Sequence, residues 1–244
     1  MDPFSDIAET YDWTEQSTDD IPFFIKLARQ TDGPILELGA GTGRITIPVA
    51  ELGKPVIALD VSESMLSRAE AKVLSQNISF QTGDFRSLSL DQTFGLILAP
   101  GRVFEHAFSD TERESAFEGC SRYLKQTGTF VLHVWGPPAD EDPTPPEKTT
   151  SIGPTDQHGT ILFSWREERN FAKEIRKHYF RVEEIDGQNR MWMHDPIDLR
   201  WYTEDVLDTI GQAVGLTVCD RFRDFHGGPY EPDSLNMIWI YRKE

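Results

Sequence analysis

Apolar and polar positions follow two different periods along the first 136 residues of the chain. Short, mainly apolar runs predict buried strands at 35–38, 56–59, 78–81, 96–99 and 130–134. After the second run, apolar side chains recur at helical spacing at Met65, Leu66, Ala69, Val73 and Leu74. This repeated order of strand and helix predicts an α/β fold, in which helices cover both faces of an open parallel sheet.

Residues that begin or end helices mark two further elements. Either Ser109 or Asp110 begins a helix, after which Gly128 turns the chain into the fifth strand. Thr203 begins another helix, which carries apolar side chains at helical spacing and ends at Gly215.

The chain after the fifth strand has a different pattern. The stretch 136–156 is rich in proline, acidic residues and threonine, which predicts a mobile loop. Three extended segments follow at 160–170, 174–185 and 190–201, with Asp186-Gly187 as a hairpin turn between the last two. Both faces of the middle segment are partly polar, so we expect an antiparallel meander that covers a cleft or pairs with another subunit.

The first apolar run leads directly into a glycine-rich turn. Gly39, Gly41 and Gly43 alternate with other residues, and a helix begins at once. Because glycine lacks a Cβ, such a turn can bend sharply and bring backbone N–H groups close to a ligand, and the helix N-terminus behind it favours polar or anionic groups. The dinucleotide-binding pattern differs, since it is G-x-G-x-x-G with a small third residue. Arg44 is too bulky for that place.

Two carboxylates follow the next two strands. Asp60 ends the second strand, where an acidic side chain can accept hydrogen bonds from both hydroxyls of a ribose. Ser62 is placed to cap the helix after it. Asp84 follows the third strand, and the ring of its neighbour Phe85 can cover an aromatic base.

This series resembles the class I S-adenosylmethionine-dependent methyltransferases. The run from Glu37 to Gly43 is similar to their first motif, and in the family an acid at the position of Asp84 faces the adenine amino group. The resemblance implies a sheet that ends in an antiparallel hairpin, here 216–224 and 235–241, with S-adenosylmethionine as cofactor and S-adenosylhomocysteine as product. The cofactor-binding residues that it implies are Tyr11, Glu37, Gly39, Ala40, Gly41, Gly43, Asp60, Val61, Met65, Gly83, Asp84, Phe85 and Ala99.

The resemblance also divides the chain into four parts. Residues 1–30 are similar to the N-terminal lid of many small-molecule methyltransferases, with Tyr11 near the methionine end of the cofactor. Residues 31–136 correspond to the cofactor-binding core, 137–201 to an antiparallel insertion, and 202–244 to the end of the core sheet. Gly95 departs from the family, since an Asp commonly opens the fourth strand there. The ligand lies at the other end of that strand, so we expect the cofactor site to tolerate the change.

Methyl transfer is an in-line displacement, in which much of the rate can come from positioning the nucleophile opposite the sulfonium. The loop after the fourth strand carries Arg102, Glu105 and His106. We take His106 as the main candidate for a base or substrate contact, and we expect Glu105 to face solvent and His133 to be an interior histidine.

The candidate substrate-binding residues are aromatic or cationic, and they are Trp135, Trp192, Arg200 and Tyr202. The same residues would serve equally well to pack the meander on the core. Neither a His/Asp pair nor metal-ligand spacing is evident for activating an oxygen, so no metal is expected. The favoured acceptor is therefore a small molecule that is methylated on nitrogen rather than oxygen.

Composition narrows the choice of partners. A chain of 244 residues suits one domain with room for an insertion. Its formal net charge of -17 argues against a nucleic-acid acceptor. Cys120 and Cys219 are far apart, and no leader or membrane span is evident, so we expect a cytoplasmic protein with reduced thiols and no membrane partner. The meander is compatible with a homodimer.

Two other functions fit parts of the sequence. An NAD(P)-dependent oxidoreductase would share the glycine turn, but Arg44 and the run Gly83-Asp84-Phe85 argue against it. A catalytically silent domain that binds S-adenosylmethionine as a sensor or scaffold is left open by Gly95 and by the lack of an evident base.

Overall fold

The computed structural model describes residues 4–15, 17–73, 77–139, 141–153, 159–185 and 190–243. The strands in this part of the chain are β1 (Ile35–Leu38), β2 (Val56–Asp60), β3 (Ile78–Thr82), β4 (Phe94–Ala99), β5 (Leu124–Trp135), β6 (Lys148–Ile152), β7 (Ile161–Asn170), β8 (Ile175–Glu184), β9 (Met191–Met193), β10 (Ile197–Arg200), β11 (Leu216–Phe222) and β12 (Asn236–Lys243). The α-helices are α1 (Tyr11–Thr14), α2 (Ile21–Gln30), α3 (Thr46–Ala50), α4 (Glu63–Ala71), α5 (Asp110–Tyr123) and α6 (Glu204–Ala213).

The main sheet has the order β11-β12-β5-β4-β1-β2-β3 in the described residues. Strands β1 to β5 are parallel, and β12 runs antiparallel to both β5 and β11. All residues of β1 and β4 are buried, because helices cover both faces of a parallel sheet. The predicted fold, a parallel α/β sheet that ends in an antiparallel hairpin, is confirmed.

Successive side chains of a strand point to opposite faces, and this alternation gives the sheet two cores. Ile35 packs with Phe24 of α2 and Val49 of α3 on one face. Leu36 packs with Phe117 of α5 and Leu207 of α6 on the other. Helices cover both faces of the sheet, so the carboxyl ends of the parallel strands form an edge between the two layers of helices.

The second sheet has the order β10-β8-β7-β6, and β9 pairs with β8. Two predictions were wrong in detail here. Residues 148–152 form β6 instead of loop, because the β-branched residues between the prolines pair along β7. The third extended segment splits into β9 and β10, with Pro196 between them, since proline has no N–H to donate to a ladder. The predicted turn Asp186-Gly187 lies outside the described residues.

Several helix boundaries also differ from the sequence-based expectation. Ser109, and not Asp110, caps α5, in a capping box with Glu112. Helix α4 ends at Ala71, before Val73, and Leu74 lies outside the described residues. Strand β5 begins directly after α5, and a register irregularity relative to β4 replaces the expected turn at Gly128.

The structure gives a physical reason for Gly95 at the start of β4. A Cβ at this position would lie 2.3 Å from the carbonyl oxygen of Asp32, in the loop before β1. Any larger side chain would push this loop away, so the departure from the family pattern reflects local packing. The amino end of β4 is also far from the ligand-binding edge of such a sheet.

No helix in the described ranges is both long and apolar enough to span a bilayer. The two cysteines lie in different environments, since Cys120 is buried in α5 and Cys219 is exposed on β11.

Candidate functional site

A cavity of about 580 Å³ opens at the carboxyl ends of the parallel strands. Its wall comes from the N-terminal segment, the glycine turn, the ends of β2 and β3, the loop after β4, and one face of the second sheet. Ligands of open α/β sheets bind at this edge. The second sheet closes the side that such sheets otherwise leave open to solvent.

The glycine turn forms one wall of the cavity in left-handed backbone. The φ angles of Gly39, Gly41 and Gly43 are 70°, 55° and 85°. A Cβ at Gly39 would lie 2.5 Å from the side chain of Val103, whereas a Cβ at Gly41 would meet nothing within 4 Å. Gly39 is thus needed for close packing against the loop after β4, and Gly41 for its φ angle alone.

Asp60 holds the turn from the end of β2. One carboxylate oxygen accepts a hydrogen bond from the amide of Gly41 (2.8 Å) and the other from the amide of Ser62 (2.9 Å). Each carboxylate oxygen has two lone pairs, so Asp60 keeps acceptor capacity for a ligand. The side chain of Asp60 lines the cavity.

Asp84 lines the same cavity one strand further along. Burial opposes its ionisation, but hydrogen bonds from Arg86 outweigh this effect and lower the pKa of Asp84. Arg86 also bonds to Glu112. The Asp84 carboxylate is therefore held in place before any ligand arrives.

The structure brings most of the predicted cofactor residues to one wall. Those that line the cavity are Tyr11, Gly39, Gly41, Asp60, Val61, Met65, Gly83, Asp84 and Phe85. Four predicted residues, Glu37, Ala40, Gly43 and Ala99, do not line it. Ala99 is fully buried in the core, and its neighbours Pro100 and Gly101 line the cavity instead. A role for these four in cofactor binding stays a prediction.

Glu37 lies buried behind the glycine turn. It accepts a hydrogen bond of 2.6 Å from the hydroxyl of Thr46 in α3. Burial raises its pKa from 4.5 to about 8, against the opposing effects of Thr46 and Arg44. Its position suits support of the turn.

The N-terminal segment lies over the turn. Asp12 accepts a hydrogen bond of 2.6 Å from Thr42 and forms an ion pair of 2.6 Å with Lys72. These contacts place the neighbouring Tyr11 in the cavity wall, where burial raises its pKa to about 12.

The loop after β4 brings Arg102 and His106 to the cavity. Its backbone turns sharply, with left-handed φ angles at Gly101 (63°) and Arg102 (66°). Burial lowers the pKa of His106 to about 4, and the charges of Arg102 and Arg86 add to the effect. His106 is therefore neutral at physiological pH and can accept a hydrogen bond.

The expectation that Glu105 faces solvent was wrong. Its side chain is fully buried, because the loop folds back under Trp135. One oxygen accepts a hydrogen bond of 2.6 Å from the amide of Trp135, and the other lies 3.9 Å from the guanidinium of Arg176. Burial raises the pKa of Glu105 to about 7. Glu105 does not line the cavity, and a catalytic role for it stays a prediction.

Of the predicted substrate residues, only Trp135 lines the cavity. Trp192 packs edge-on against Trp13 at 5.3 Å between ring centroids. Arg200 pairs with Glu174 and Asp110 at 2.9 Å each. Tyr202 is fully buried and donates a hydrogen bond of 3.1 Å to the carbonyl of Phe104. These three residues join the second sheet to other parts of the chain.

Sequence reasoning missed one whole face of the second sheet. The residues of this face that line the cavity are Phe163 and Trp165 of β7, Ile197 and Leu199 of β10, and His178, Phe180 and Val182 of β8. The alternation along 174–185 placed the last three on one face but did not show which face is inside. His133, in contrast, lies in the interior as predicted, 3.2 Å from Asn236.

A histidine–carboxylate pair also escaped the sequence reading. His178 Nε2 lies 3.1 Å from Glu167, its cross-strand neighbour. Burial opposes the ionisation of Glu167, but hydrogen bonds from His178 and Arg169 outweigh it and hold its pKa at about 2. The ionised carboxylate accepts a hydrogen bond from Nε2–H of His178. Nδ1 is therefore the nitrogen that carries the free lone pair and acts as the base. No group of three or more potential metal ligands occurs in the described ranges.

Comparison with known proteins agrees with this geometry. Residues 35–128 match the methyltransferase domain family. The structure of the CcbJ methyltransferase from Streptomyces caelestis superposes with a TM-score of 0.82 at 23% identity, over 99% of this chain and 98% of that one. The chain has the class I methyltransferase fold.

Further relatives share this methyltransferase fold or domain. The SAM-bound amino pentose methyltransferase CalS10 from Micromonospora echinaspora has a TM-score of 0.76 at 18% identity, over 97% of this chain and 95% of that one. The cypemycin N-terminal methyltransferase of a Streptomyces species is 34% identical over 110 residues, which are 45% of each chain. The chain spans about half the length of the curated relatives that it matches.

Proposed function

We propose that this methyltransferase domain transfers the methyl group of S-adenosylmethionine to a small-molecule amine. The observation that carries the proposal is the single cavity that joins the glycine turn, Asp60 and Asp84 to an aromatic wall. Asp60 has acceptor capacity for ribose hydroxyls, and Phe85 offers a ring for the adenine base. Bound there, the cofactor supplies a methyl group activated by its sulfonium charge.

The chain's own residues position the acceptor and exclude water. Trp135, Trp165 and Phe180 form an apolar wall opposite the cofactor residues. Such a wall holds a nucleophile in line with the methyl group and replaces the solvent around it. Much of the rate of a displacement arises from this positioning.

Nitrogen as the methylated atom is supported by the charges around the cavity. Arg102 lies in the wall, and His106 is held neutral. This environment favours a neutral amine over an ammonium ion, and only the neutral amine has the lone pair that attacks. The name of the cypemycin N-terminal methyltransferase points in the same direction.

Oxygen as the methylated atom is the second candidate, and His178 favours it. A hydroxyl or phenol gains from a base that is oriented by a carboxylate, as His178 is by Glu167. His178→Gln should lose most of its turnover with an acceptor that reacts through oxygen, and it should keep its turnover with a neutral amine.

Binding of S-adenosylhomocysteine tests the proposal. Calorimetry should show binding to the wild-type chain, and Asp60→Ala should weaken it by about 1–3 kcal/mol, because a buried acceptor is lost. Ser62→Ala is the matched control, since it removes the cap of α4 but leaves the Asp60 carboxylate. The control should lose about 1 kcal/mol of stability and keep its affinity. A wild-type chain without affinity for this compound would refute the proposal.

His106→Ala should lower turnover roughly tenfold in a methyl-release assay with pooled amines and leave affinity for S-adenosylhomocysteine intact. The reason is the loss of one hydrogen bond to the acceptor. His133→Ala removes a histidine that is also neutral but lies outside the cavity wall, so it should keep wild-type turnover. Equal turnover in both variants would exclude a role for His106.

The remaining expectations stay predictions that the same assays address. Methyl release from a cofactor-bound chain would exclude the silent scaffold, and NADH binding would favour the oxidoreductase. A cytoplasmic location, a homodimer and the lack of a nucleic-acid partner are likewise predictions.

A further inference from the structure

Arg102 is the cation in the cavity wall whose charge has no bonded partner among the described residues. Its Nη1 atom is buried without a hydrogen-bond partner there, and no described acid lies within ion-pair distance. Its guanidinium carbon lies 4.0 Å from the ring centroid of Trp135. Arg86, the other arginine of the wall, is bonded to Asp84 and Glu112.

The surroundings of Arg102 add to its positive charge. Arg176 also lies over the ring of Trp135, 5.2 Å from the ring centroid, and is buried. The nearby acid is Glu105, whose pKa of about 7 leaves it only partly ionised at neutral pH. Arg176 also senses the charge of Glu167, but that carboxylate is already bonded to Arg169 and His178. The two guanidinium groups, which cannot deprotonate, therefore stand beside carboxylates that are only partly ionised or already paired. A buried excess of positive charge is costly unless an anion compensates it.

The backbone directs Arg102 into this place. Both Gly101 and Arg102 have left-handed φ angles, a conformation that is unfavourable for a residue other than glycine. Strain of this kind persists where the surrounding structure holds a functional side chain. The groups that sense the charge of Arg102 include His106 and His178 in the cavity wall and also Tyr11, which senses the charge of Asp60 as well.

We propose that Arg102 binds a carboxylate of the methyl acceptor, so that the acceptor is an amino acid or another amine that carries an acidic group. The proposal rests on the function proposed above. A guanidinium recognises a carboxylate through paired hydrogen bonds. Stacking on the ring of Trp135 restricts the orientation of the Arg102 guanidinium and so favours this pairing. The methionine carboxylate of the cofactor has the same chemistry, and the experiment separates the two sources.

The test uses the full chain saturated with S-adenosylhomocysteine. Calorimetry measures binding of phenylacetate and indole-3-acetate against their neutral amides. We expect the wild type to bind each acid at least tenfold more tightly than its amide, and Arg102→Gln to lose this preference. Arg166→Gln is the matched control, because Arg166 also lies over a ring, that of Tyr179 at 3.6 Å, but outside the cavity wall. It should keep the preference.

A turnover arm compares phenylalanine with phenethylamine and tryptophan with tryptamine. Any methylation should favour the member with the carboxylate, and in Arg102→Gln its KM should rise at least tenfold.

Three results would overturn the proposal. The wild type would bind acids and amides equally, or Arg102→Gln would keep the preference for acids. In the third, Arg102→Gln would lower the affinity for S-adenosylhomocysteine at least tenfold, and the wild type would show no preference for acids. That result would assign Arg102 to binding of the cofactor. A chain that does not bind S-adenosylhomocysteine at all fails the proposed function instead, and this is seen before any acid is added.

Discussion

Replacing Gly39 with alanine will destabilise the folded chain by about 2–5 kcal/mol, as measured by denaturant unfolding. Two costs add up. A side chain at φ 70° costs about 1–2 kcal/mol. The new Cβ would also lie 2.5 Å from Cγ2 of Val103, and overpacking of this kind costs about 1–3 kcal/mol.

Gly41→Ala separates the two costs. Its φ of 55° is also left-handed, but a Cβ there would meet nothing within 4 Å, so only the backbone cost remains. Val103→Ala should restore part of the stability of Gly39→Ala and none of that of Gly41→Ala. Equal destabilisation by the two glycine substitutions would show that Val103 does not press on the turn.

The contact between Gly39 and Val103 matters for function because it joins two parts of the site. Val103 begins the short 3-10 turn that ends at His106. A glycine at 39 therefore lets the loop that carries Arg102 and His106 lie directly against the glycine turn, which we propose as part of the cofactor site. Affinity for S-adenosylhomocysteine should fall more in Gly39→Ala than stability alone explains.

Glu37→Gln will change how stability depends on pH. The pKa of Glu37 is about 8 in the folded chain and 4.5 when exposed. A carboxyl with a raised pKa contributes stability below its unfolded value, and this contribution is lost as the pH rises toward the folded value. The wild type should therefore lose on the order of 4 kcal/mol from this group between pH 4.5 and pH 8. Glutamine carries no proton to lose, so the variant should lack this part of the decline.

Thr46→Val supplies the opposite control. The hydroxyl of Thr46 donates to Glu37 and lowers its pKa, so its removal should raise that pKa further and extend the decline in stability to a higher pH. Unfolding curves at pH 5 and pH 8 for the three chains give the comparison. Identical pH dependence in the wild type and Glu37→Gln would mean that Glu37 ionises in the folded chain as readily as in the unfolded one.

The sequence predicted well which side chains would meet in one wall of the cavity, because each of them is marked by its own strand, while their part in cofactor binding stays a prediction. Gly39, Gly41, Asp60 and Asp84 each follow a strand of the parallel sheet, and the chain order of such a sheet places those ends together. The aromatic half was predicted poorly for the converse reason. The face of β8 that lies inside depends on where the second sheet packs, and residue periodicity does not encode that position.

The same difference explains the individual errors. Glu105 is a charged residue that we expected to face solvent, yet the loop buries it against the backbone of Trp135. His178 and Glu167 are 11 positions apart and meet only through the register of β7 and β8. Arg200 and Tyr202 are residue types that are common in binding sites, yet their side chains form an ion pair and a hydrogen bond with other residues of this chain.

By itself, the sequence determined the parallel α/β sheet, its antiparallel last strand and the glycine turn with its two carboxylates. The parallel sheet, the glycine turn and the carboxylates at the strand ends follow from hydrophobic period and chain order, which are properties of neighbouring residues, and the antiparallel last strand is what the resemblance to class I methyltransferases implies. Only the tertiary structure decided which arginine of the cavity wall has no bonded partner among the described residues, which histidine faces a carboxylate and which acid is buried. Such choices depend on burial and pairing between distant segments, and the free energy of a charge is set by the partners that folding brings to it.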